Sequence, residues 1–272
     1  MAIERLRRGS EINKMTNLIQ KVNIKRHRYK LFGLPVDNIT REETKDLLRG
    51  GHSEKKPIVL STLNINWVAE AHRDKYFQQS ILDSDIVVLD GKPLLWFAKL
   101  KRLPFTETVP GSTLVEALLL EQSVKQVKIF LLGGEDGVAE RAMKKVNRAA
   151  LGIRIVGAVK AGFGRVEEMS GERLISQINE AKPDLLLIAL GAKKGMAWIT
   201  RNRASLSNVK VVSHLGATIN YLAGTVKRAP KWMQYCGLEW LWRIVQEPKL
   251  FHRYYSDAKI IIYLIIRGLW KA

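Results

Sequence analysis

The chain has 272 residues, 46% of them hydrophobic, which is typical of a globular protein with a sizeable core. Its 45 Lys and Arg residues outnumber 26 Asp and Glu residues, and the net charge of +19 favours a polyanionic partner or surface. Nucleic acid, an anionic bilayer and a phosphorylated substrate are the alternatives. The single cysteine, Cys236, argues against a disulfide framework and indicates a reducing compartment.

We expect neither a secretory leader nor a membrane-spanning helix. The N-terminus lacks the apolar core of a signal peptide. The longest apolar run, IIIYLII between Lys259 and Arg267, is too short to cross a bilayer. Basic residues dominate the first thirty positions, so residues 1–29 are predicted to form a basic arm. About the first twenty of these residues are expected to be solvated and partly disordered.

Strand-like and helix-like segments alternate from residue 30 to residue 222. Residues 30–36 predict an opening strand and turn, and residues 40–48 a short helix. Short apolar runs predict strands at 57–61, 85–89, 128–132, 154–159, 184–190 and 210–215. Apolar spacing predicts helices at 66–82, 93–100, 113–122, 136–146 and 171–181. This alternation predicts an α/β fold with a largely parallel sheet and helices on both of its faces.

Three polar residues follow two of the predicted strands. Thr62 and Asn64 come after the first, and Asp90 comes directly after the second. Ligands of open α/β sheets bind beyond the carboxyl ends of the strands. The hydroxyl, amide and carboxylate therefore form the first candidate site. The alternatives are that Thr62 or Asn64 only caps the following helix and that Asp90 only shapes its turn.

A glycine pair, Gly133 and Gly134, separates the 128–132 strand from the next helix. Free backbone N–H groups and the helix dipole make such a junction a natural phosphate site. The alternative is a tight turn without a ligand. A flexible loop is predicted at 161–164, after the following strand.

The composition changes near Ala223. From there on, tryptophan and tyrosine residues are interleaved with lysine and arginine. Aromatic and basic residues on helical segments suit a membrane interface. The alternative is a helical lid whose aromatic side chains pack on the sheet. We therefore separate a C-terminal appendage, residues 223–272, from the core at 30–222.

Several motifs along residues 30–255 resemble one family, the WecG/TagA/CpsF glycosyltransferases (glycosyltransferase family 26). They are Thr62-Leu63-Asn64, Asp90-Gly91, Leu131-Leu132-Gly133-Gly134, Arg228-Ala229-Pro230-Lys231-Trp232 and Gly237-Leu238-Glu239-Trp240-Leu241. The resemblance implies an inverting enzyme of bacterial surface polysaccharide synthesis, which moves a sugar from a UDP-sugar to a polyprenyl-diphosphate-linked saccharide. It also implies a Rossmann-like core and a helical appendage that associates with the anionic cytoplasmic face of the membrane and completes the active site.

The same resemblance implies roles for individual residues. Asp90 matches the catalytic carboxylate, a general base worth about 10²–10⁴-fold, and Thr62 belongs to the same crevice. No metal-binding motif is evident, so we expect neither metal nor cofactor, and expect arginines and backbone N–H groups to neutralise the diphosphate. The candidate substrate-binding residues are Asn64, Gly91, Gly111, Gly133, Gly134, Gly191, Lys194, Arg228, Arg243 and Arg253. Each arginine is alternatively a contact to a lipid phosphate.

The segment at 193–196 departs most from the family. Lys193, Gly195 and Met196 stand where relatives carry proline, glutamine and glutamate, and Asn220 replaces an aspartate. Because this segment follows a strand, it is predicted to line the crevice opposite Asp90. A donor other than UDP-N-acetylmannosamine is then expected, with UDP-glucose as the first choice. The alternative is that Met196 only packs under Trp198 and donor specificity is unchanged.

A catalytically weak homologue that binds lipid-linked saccharide or acts as a scaffold is the second hypothesis. A nucleic-acid partner is not expected, because no recognition motif accompanies the charge. The sequence leaves the donor sugar, the acceptor saccharide and the polymer open. It also leaves the oligomeric state open, with a homo-oligomer among the alternatives.

Overall fold

The computed structural model describes residues 26–49, 56–122, 125–149, 152–160 and 164–268. Most of the predicted basic arm and of the 161–164 loop lies outside these residues. The strands are β1 Arg28–Leu31, β2 Leu34–Asp37, β3 Ile58–Leu63, β4 Ile86–Leu89, β5 Val127–Gly133, β6 Ile153–Val159, β7 Leu185–Ala189 and β8 Val211–His214. The first helices are α1 Arg41–Arg49, α2 Ile65–Arg73, α3 Lys75–Leu82, α4 Lys92–Leu100, α5 Gly111–Leu120 and α6 Val138–Ala149. The others are α7 Glu172–Ala181, α8 Ala192–Asn202, α9 Thr218–Ala223, α10 Lys231–Tyr235, α11 Glu239–Gln246 and α12 Leu250–Ile266.

Within the described residues, β3 to β8 form a six-stranded parallel sheet in the order β4-β3-β8-β7-β5-β6. Side chains of these strands alternate between two apolar cores, one on each face of the sheet. The helix after β3 packs on one face, and the helix after β8 packs on the other. The prediction of a parallel α/β sheet covered on both faces is confirmed, and the β3–β8 junction is a topological switch point.

The opening segment is a hairpin outside the main sheet. Strands β1 and β2 pair antiparallel, with positive φ angles at Phe32 (53°) and Gly33 (73°). These angles suit a tight turn whose twist matches the two strands. The strand and turn predicted at 30–36 are therefore parts of a hairpin, in which a second short strand follows the turn.

The predicted helix at 66–82 is two helices, α2 and α3, which meet at Asp74. The Asp74 carboxylate accepts hydrogen bonds from the backbone N–H groups of Tyr76 (3.0 Å) and Phe77 (3.1 Å), as an N-cap does. The apolar spacing continues through this break, which is why periodicity alone merges the two helices.

Buried carboxylates hold the amino ends of three strands, β3, β4 and β5. Each accepts a hydrogen bond from the N–H of the second residue of a strand: Asp37 from Val87 (2.8 Å), Asp85 from Val59 (2.7 Å) and Asp184 from Lys128 (2.8 Å). Each also pairs with a cation: Asp37 with Arg28, Asp85 with Arg203 and Asp184 with Lys210. These bonds fix the strand register at the edge opposite the carboxyl ends.

The last helix packs on the sheet-covering helix α2. Ile261 and Leu264 of α12 are buried in the same core as Trp67 of α2. Asp257, 1% exposed, accepts hydrogen bonds from Arg73 Nη1 and Asn66 Nδ2, both at 2.9 Å. Among the described residues, no helix combines the length and apolarity needed to cross a bilayer.

Candidate active site

A cleft of about 1190 Å³ lies at the carboxyl ends of β3, β4, β5, β7 and β8. Its lining includes the residues that follow each of these strands, and side chains of α11 and α12 cover one side. This cleft thus coincides with the edge where parallel sheets bind ligands.

Thr62, Asn64 and Asp90 lie together on the floor of the cleft. Leu63 of β3 and Leu89 of β4 are paired in register, so the residues that follow them, Asn64 and Asp90, emerge side by side. The Asn64 amide donates to Asp90 Oδ2 at 3.4 Å, while its oxygen accepts from the Trp67 N–H at 3.0 Å. Asn64 therefore caps α2 and contacts Asp90 at once.

Burial raises the pKa of Asp90 to about 7. The hydrogen bond from Asn64 opposes this shift, the charge of Glu239 adds to it, and Arg243 and Arg228 oppose it. A carboxyl group that titrates near neutral pH is suited to accept a proton and then release it. Desolvation is the dominant cause, as in other carboxylates held inside apolar sites.

Three helices begin at the cleft without a side-chain cap. Gly91, Pro110 and Gly191 are the N-caps of α4, α5 and α8, and all three line the cleft. Gly91 (φ 96°) and Gly191 (φ 79°) adopt backbone angles that favour glycine. Because the first N–H groups of a helix lack internal partners, these ends together attract an anion.

Cationic side chains line the same cleft and outnumber the acidic ones. They are Arg41, Lys92, Lys194, Lys231, Arg243 and Arg253. The acidic lining residues are Asp90, Glu135 and Glu239. The predicted Lys194, Arg243 and Arg253 are therefore at the cleft, together with three cations that the sequence analysis did not single out.

Arg228 lies beside the cleft and is not part of its lining. Its guanidinium pairs with Glu116 and donates to Thr113 Oγ1 (3.0 Å) and Gln234 Oε1 (3.2 Å). Its charge nevertheless acts on the pKa of Asp90. Arg228 therefore contributes to the electrostatics of the cleft while it joins α5 to the appendage.

Of the two glycines predicted to bind phosphate, only Gly134 lines the cleft. Its N–H, however, donates to the Ala189 carbonyl at 3.0 Å. Gly133 lies outside the lining, and a Cβ there would come within 2.4 Å of the Ala189 oxygen. Helix α6 begins only at Val138. The pair thus serves the close approach of β5 and β7. Gly111, by contrast, lines the cleft as the first residue of α5.

Most of the 193–196 segment does not line the cleft. Lys193 pairs with Glu70 (2.8 Å) and Asp74 (3.5 Å) on the outer side of α2. Met196 is 1% exposed in the core. Gly195 is buried against the ring of His214. The expectation that Lys193 and Met196 face Asp90 is therefore wrong, because α8 turns them away from the cleft.

Glu239 and His214 are further titratable residues at the cleft that the sequence analysis did not single out. Glu239 of α11 has a raised pKa, chiefly because of burial. His214 ends β8, and burial lowers its pKa to about 4. Glu239 stands within a quoted motif, which was a usable signal, whereas His214 carried none. In the described ranges, no group of three or more His, Cys, Asp or Glu side chains is arranged to hold a metal ion.

Comparison with known proteins places this cleft in context. The profile of the "Glycosyl transferase WecG/TagA/CpsF family" matches residues 29–272. A Bacillus subtilis (strain 168) protein named N-acetylglucosaminyldiphosphoundecaprenol N-acetyl-beta-D-mannosaminyltransferase is 27% identical over 206 residues, 76% of this chain and 78% of its own length. A Staphylococcus aureus (strain MRSA252) protein of the same name is 24% identical over 243 residues, 89% of this chain and 93% of its own.

Proposed function

Because this chain belongs to the WecG/TagA/CpsF family of glycosyltransferases, we propose that it transfers a sugar from a UDP-sugar to a polyprenyl-diphosphate-linked saccharide. The observation that carries the proposal is the half-buried carboxylate of Asp90, with a pKa raised to about 7, in a cleft that gathers cations and uncapped helix ends. The name of the B. subtilis and S. aureus relatives supports an acceptor of this class. The transferred group is a hexose or an N-acetylhexosamine-type sugar.

Asp90 acts as the general base. It takes the proton from an acceptor hydroxyl as the hydroxyl oxygen forms a bond to the anomeric carbon of the donor. The bond from that carbon to the diphosphate oxygen breaks, and its electron pair leaves with UDP. Attack from the face opposite the leaving group inverts the anomeric centre. Asn64 holds the carboxylate through its 3.4 Å hydrogen bond, and Thr62 borders the same floor.

The cleft supplies positive charge for the departing diphosphate. The N-termini of α4, α5 and α8 present N–H groups without side-chain caps. Arg243, Arg253 and Lys194 add full charges at its border. Preorganised donors of this kind stabilise charge that develops in a transition state. We therefore propose that transfer requires no metal ion, and that EDTA leaves the rate unchanged.

We also propose that the appendage holds the enzyme peripherally on the cytoplasmic face of the membrane. Aromatic side chains of α10 to α12 are exposed: Trp232, Tyr235, Trp240, Phe251, Tyr255 and Tyr263. Lysine and arginine residues lie among them, and Lys259 stacks on Tyr255. Such a surface suits an interface with anionic lipid. The exposed thiol of Cys236 fits a reducing compartment.

A transfer assay tests the function. The purified chain is given a panel of UDP-sugars and a short polyprenyl-diphosphate-linked saccharide, and the products are separated by mass. We expect one UDP-sugar to yield an acceptor longer by one sugar, with UDP released in equal amount. Asp90→Asn, which keeps the size of the side chain, is the inactive control. Binding of lipid-linked saccharide without transfer from any donor would instead favour a scaffold.

A further inference from the structure

His214 presents an unsatisfied polar atom at the cleft. The residue ends β8, is 6% exposed and lines the cleft. Its Nε2 is buried and has no hydrogen-bond partner among the described residues. A buried polar atom without a partner is costly and rare in folded proteins, so this one calls for a partner that the protein itself does not supply.

The ring is held in place by its neighbours. It lies 5.9 Å from the ring of Trp67, centroid to centroid. On another side is Gly195, where an added Cβ would come within 2.2 Å of His214 Cδ2 and 3.2 Å of Nε2. No side chain fits at position 195 unless the imidazole moves. Gly195 therefore makes room for this ring.

The ring acts as a hydrogen-bond acceptor at Nε2. Burial keeps His214 neutral by lowering its pKa to about 4. The backbone of the same residue favours the protonated ring, as a carbonyl that accepts from Nδ1–H would, so we assign the hydrogen to Nδ1 and leave Nε2 without one. In a neutral imidazole the other nitrogen is then an acceptor. The ligand group that satisfies it must supply an O–H or N–H.

The strand order places this acceptor within reach of the donor sugar. Strand β3 separates β4, which carries Asp90 at its end, from β8, which ends in His214. Neighbouring strands are about 4.8 Å apart, so β4 and β8 lie about 10 Å apart across the sheet. Leu60 pairs with both Ser213 and Ile86, so His214 lies three residues, or about 10 Å, below the level of Asp90 along the strands. The backbones of the two residues are therefore about 14 Å apart. In-line transfer puts the acceptor oxygen beside Asp90, the anomeric carbon next to it and the donor ring beyond. The sugar ring of the donor and its substituents then span the remaining distance from the anomeric carbon to His214 Nε2.

We propose that His214 Nε2 accepts a hydrogen bond from a hydroxyl or amide N–H group on the sugar of the donor, and that Gly195 keeps the imidazole positioned for it. This inference rests on the proposed function and makes His214 a determinant of donor choice. Donor specificity is then determined by Gly195 and His214. Lys193 and Met196, which point away from the cleft, do not contribute to it.

The test compares the affinities of UDP and of the UDP-sugar that supports transfer, measured by calorimetry on the full chain. His214→Phe keeps an aromatic ring beside Trp67 but removes the acceptor. We expect its Kd for the UDP-sugar to rise about 5- to 30-fold, while its Kd for UDP changes less than twofold. His214→Gln, whose amide oxygen restores an acceptor, should lose less. His72→Phe on the exposed side of α2 is the matched control and should change neither value.

A second measurement uses the unaltered protein. Among singly deoxygenated or deacetylated forms of the donor sugar, one should bind about 5- to 30-fold more weakly, and His214→Phe should not discriminate against it further. Gly195→Ala alone should lower the affinity for the UDP-sugar by a similar factor. The same substitution should have little further effect on that affinity in a protein that already carries His214→Ala.

The proposal is overturned if His214→Phe raises the Kd for UDP and the Kd for the UDP-sugar by the same factor, or if it raises only the KM of the acceptor. It is also overturned if every altered form of the donor sugar binds the wild-type protein as tightly as the donor itself. In these cases transfer by the wild-type protein persists and the proposed function stands. If the wild-type protein binds neither UDP nor any UDP-sugar, the proposed function fails and this proposal fails with it.

Discussion

All six side chains of β3 are buried, whereas α11 buries none and α12 buries only Asp257, Ile261 and Leu264. The first region forms the floor of the cleft, and the second forms its cover. The floor inherits its geometry from a close-packed sheet. The cover is joined to the rest through a few contacts, and such regions open at lower free-energy cost than the core.

The contrast separates two requirements of the proposed reaction. The base must stay within hydrogen-bond reach of one hydroxyl, and a rigid strand end provides that precision. The cover must admit a lipid-linked saccharide and still bring cations to the diphosphate. Arg243 on α11 and Arg253 on α12 belong to this second region.

Substitution of Asp90, at the floor of the cleft, is expected to have the largest effect on turnover. Asp90→Asn should lower kcat by about 10²–10⁴-fold, because the amide cannot accept the hydroxyl proton. The fold and the affinity for the UDP-sugar should persist, as circular dichroism and calorimetry will show. Asp83→Asn, an exposed aspartate after α3, is the matched control. Near-normal turnover in a folded Asp90→Asn protein would remove Asp90 from the mechanism.

The pH profile should report the same carboxylate. Because the pKa of Asp90 is raised to about 7, its basic form decreases as the pH falls through 7. We expect kcat/KM to be flat above that pH and to drop about tenfold per unit below it, which gives about 1% of the maximum at pH 5. The pKa of His214 is lowered to about 4, so its titration should not change kcat/KM above pH 5. A profile flat from pH 5 to pH 8 would contradict this assignment.

Removal of a cation from the cover should have a smaller effect on the same rate. Arg243→Gln should reduce kcat about 10- to 150-fold, since a charge-assisted hydrogen bond contributes about 1.5–3 kcal/mol. Because Arg243 lowers the pKa of Asp90, its loss should also move the rate profile to higher pH. Arg154→Gln on the exposed side of β6 is the control. An unchanged kcat and profile would place the diphosphate elsewhere.

Loosening the cover should leave the floor intact. Asp257→Ala removes the acceptor of Arg73 and Asn66, so α12 should open about 5- to 30-fold more often, equivalent to about 1–2 kcal/mol. Hydrogen exchange should show lower protection in α12 and unchanged protection in β3 and β8. Ser256→Ala, which removes only one exposed bond to Arg73, should have a weaker effect. Equal loss of protection in the strands would mean that cover and floor unfold together.

The weakest expected effect concerns the membrane. Arg267→Gln removes one exposed cation beyond the end of α12, which should lower affinity for anionic vesicles about fivefold, or about 1 kcal/mol. Lys144→Gln makes the same change in charge on α6, whose buried residues face the core on the other side of the sheet, and should have no effect. Sedimentation with vesicles measures both. Equal losses in the two variants would indicate attraction by net charge alone.

The floor was predictable from the sequence because its signal is local. Buried apolar runs end abruptly before Asn64 and Asp90, and parallel pairing brings such ends together. The register that sets them side by side had to come from the structure. At residues 30–36 the sequence predicted a strand and a turn but not the second strand, because four residues are too short to show a strand pattern.

The features that prediction missed depend on contacts between distant segments. Lys193 turns outward because Glu70 and Asp74 of the α2–α3 junction attract it. His214 is one residue of a predicted strand, and the sequence does not show that its ring packs against Gly195. The partial burial of Glu239 depends on how α11 lies over the cleft. None of these arises from spacing within one element, so periodicity and motif could not provide them.

The carboxylates at the amino edge of the sheet have a consequence for how the molecule can change. Asp37, Asp85 and Asp184 each hold the second residue of a strand, far from the cleft. A strand anchored there cannot slide by one residue without losing a buried hydrogen bond and an ion pair. Loops at the opposite edge are thus free to vary in length and composition while the strands stay aligned, so substrate preference can diverge on an inherited scaffold.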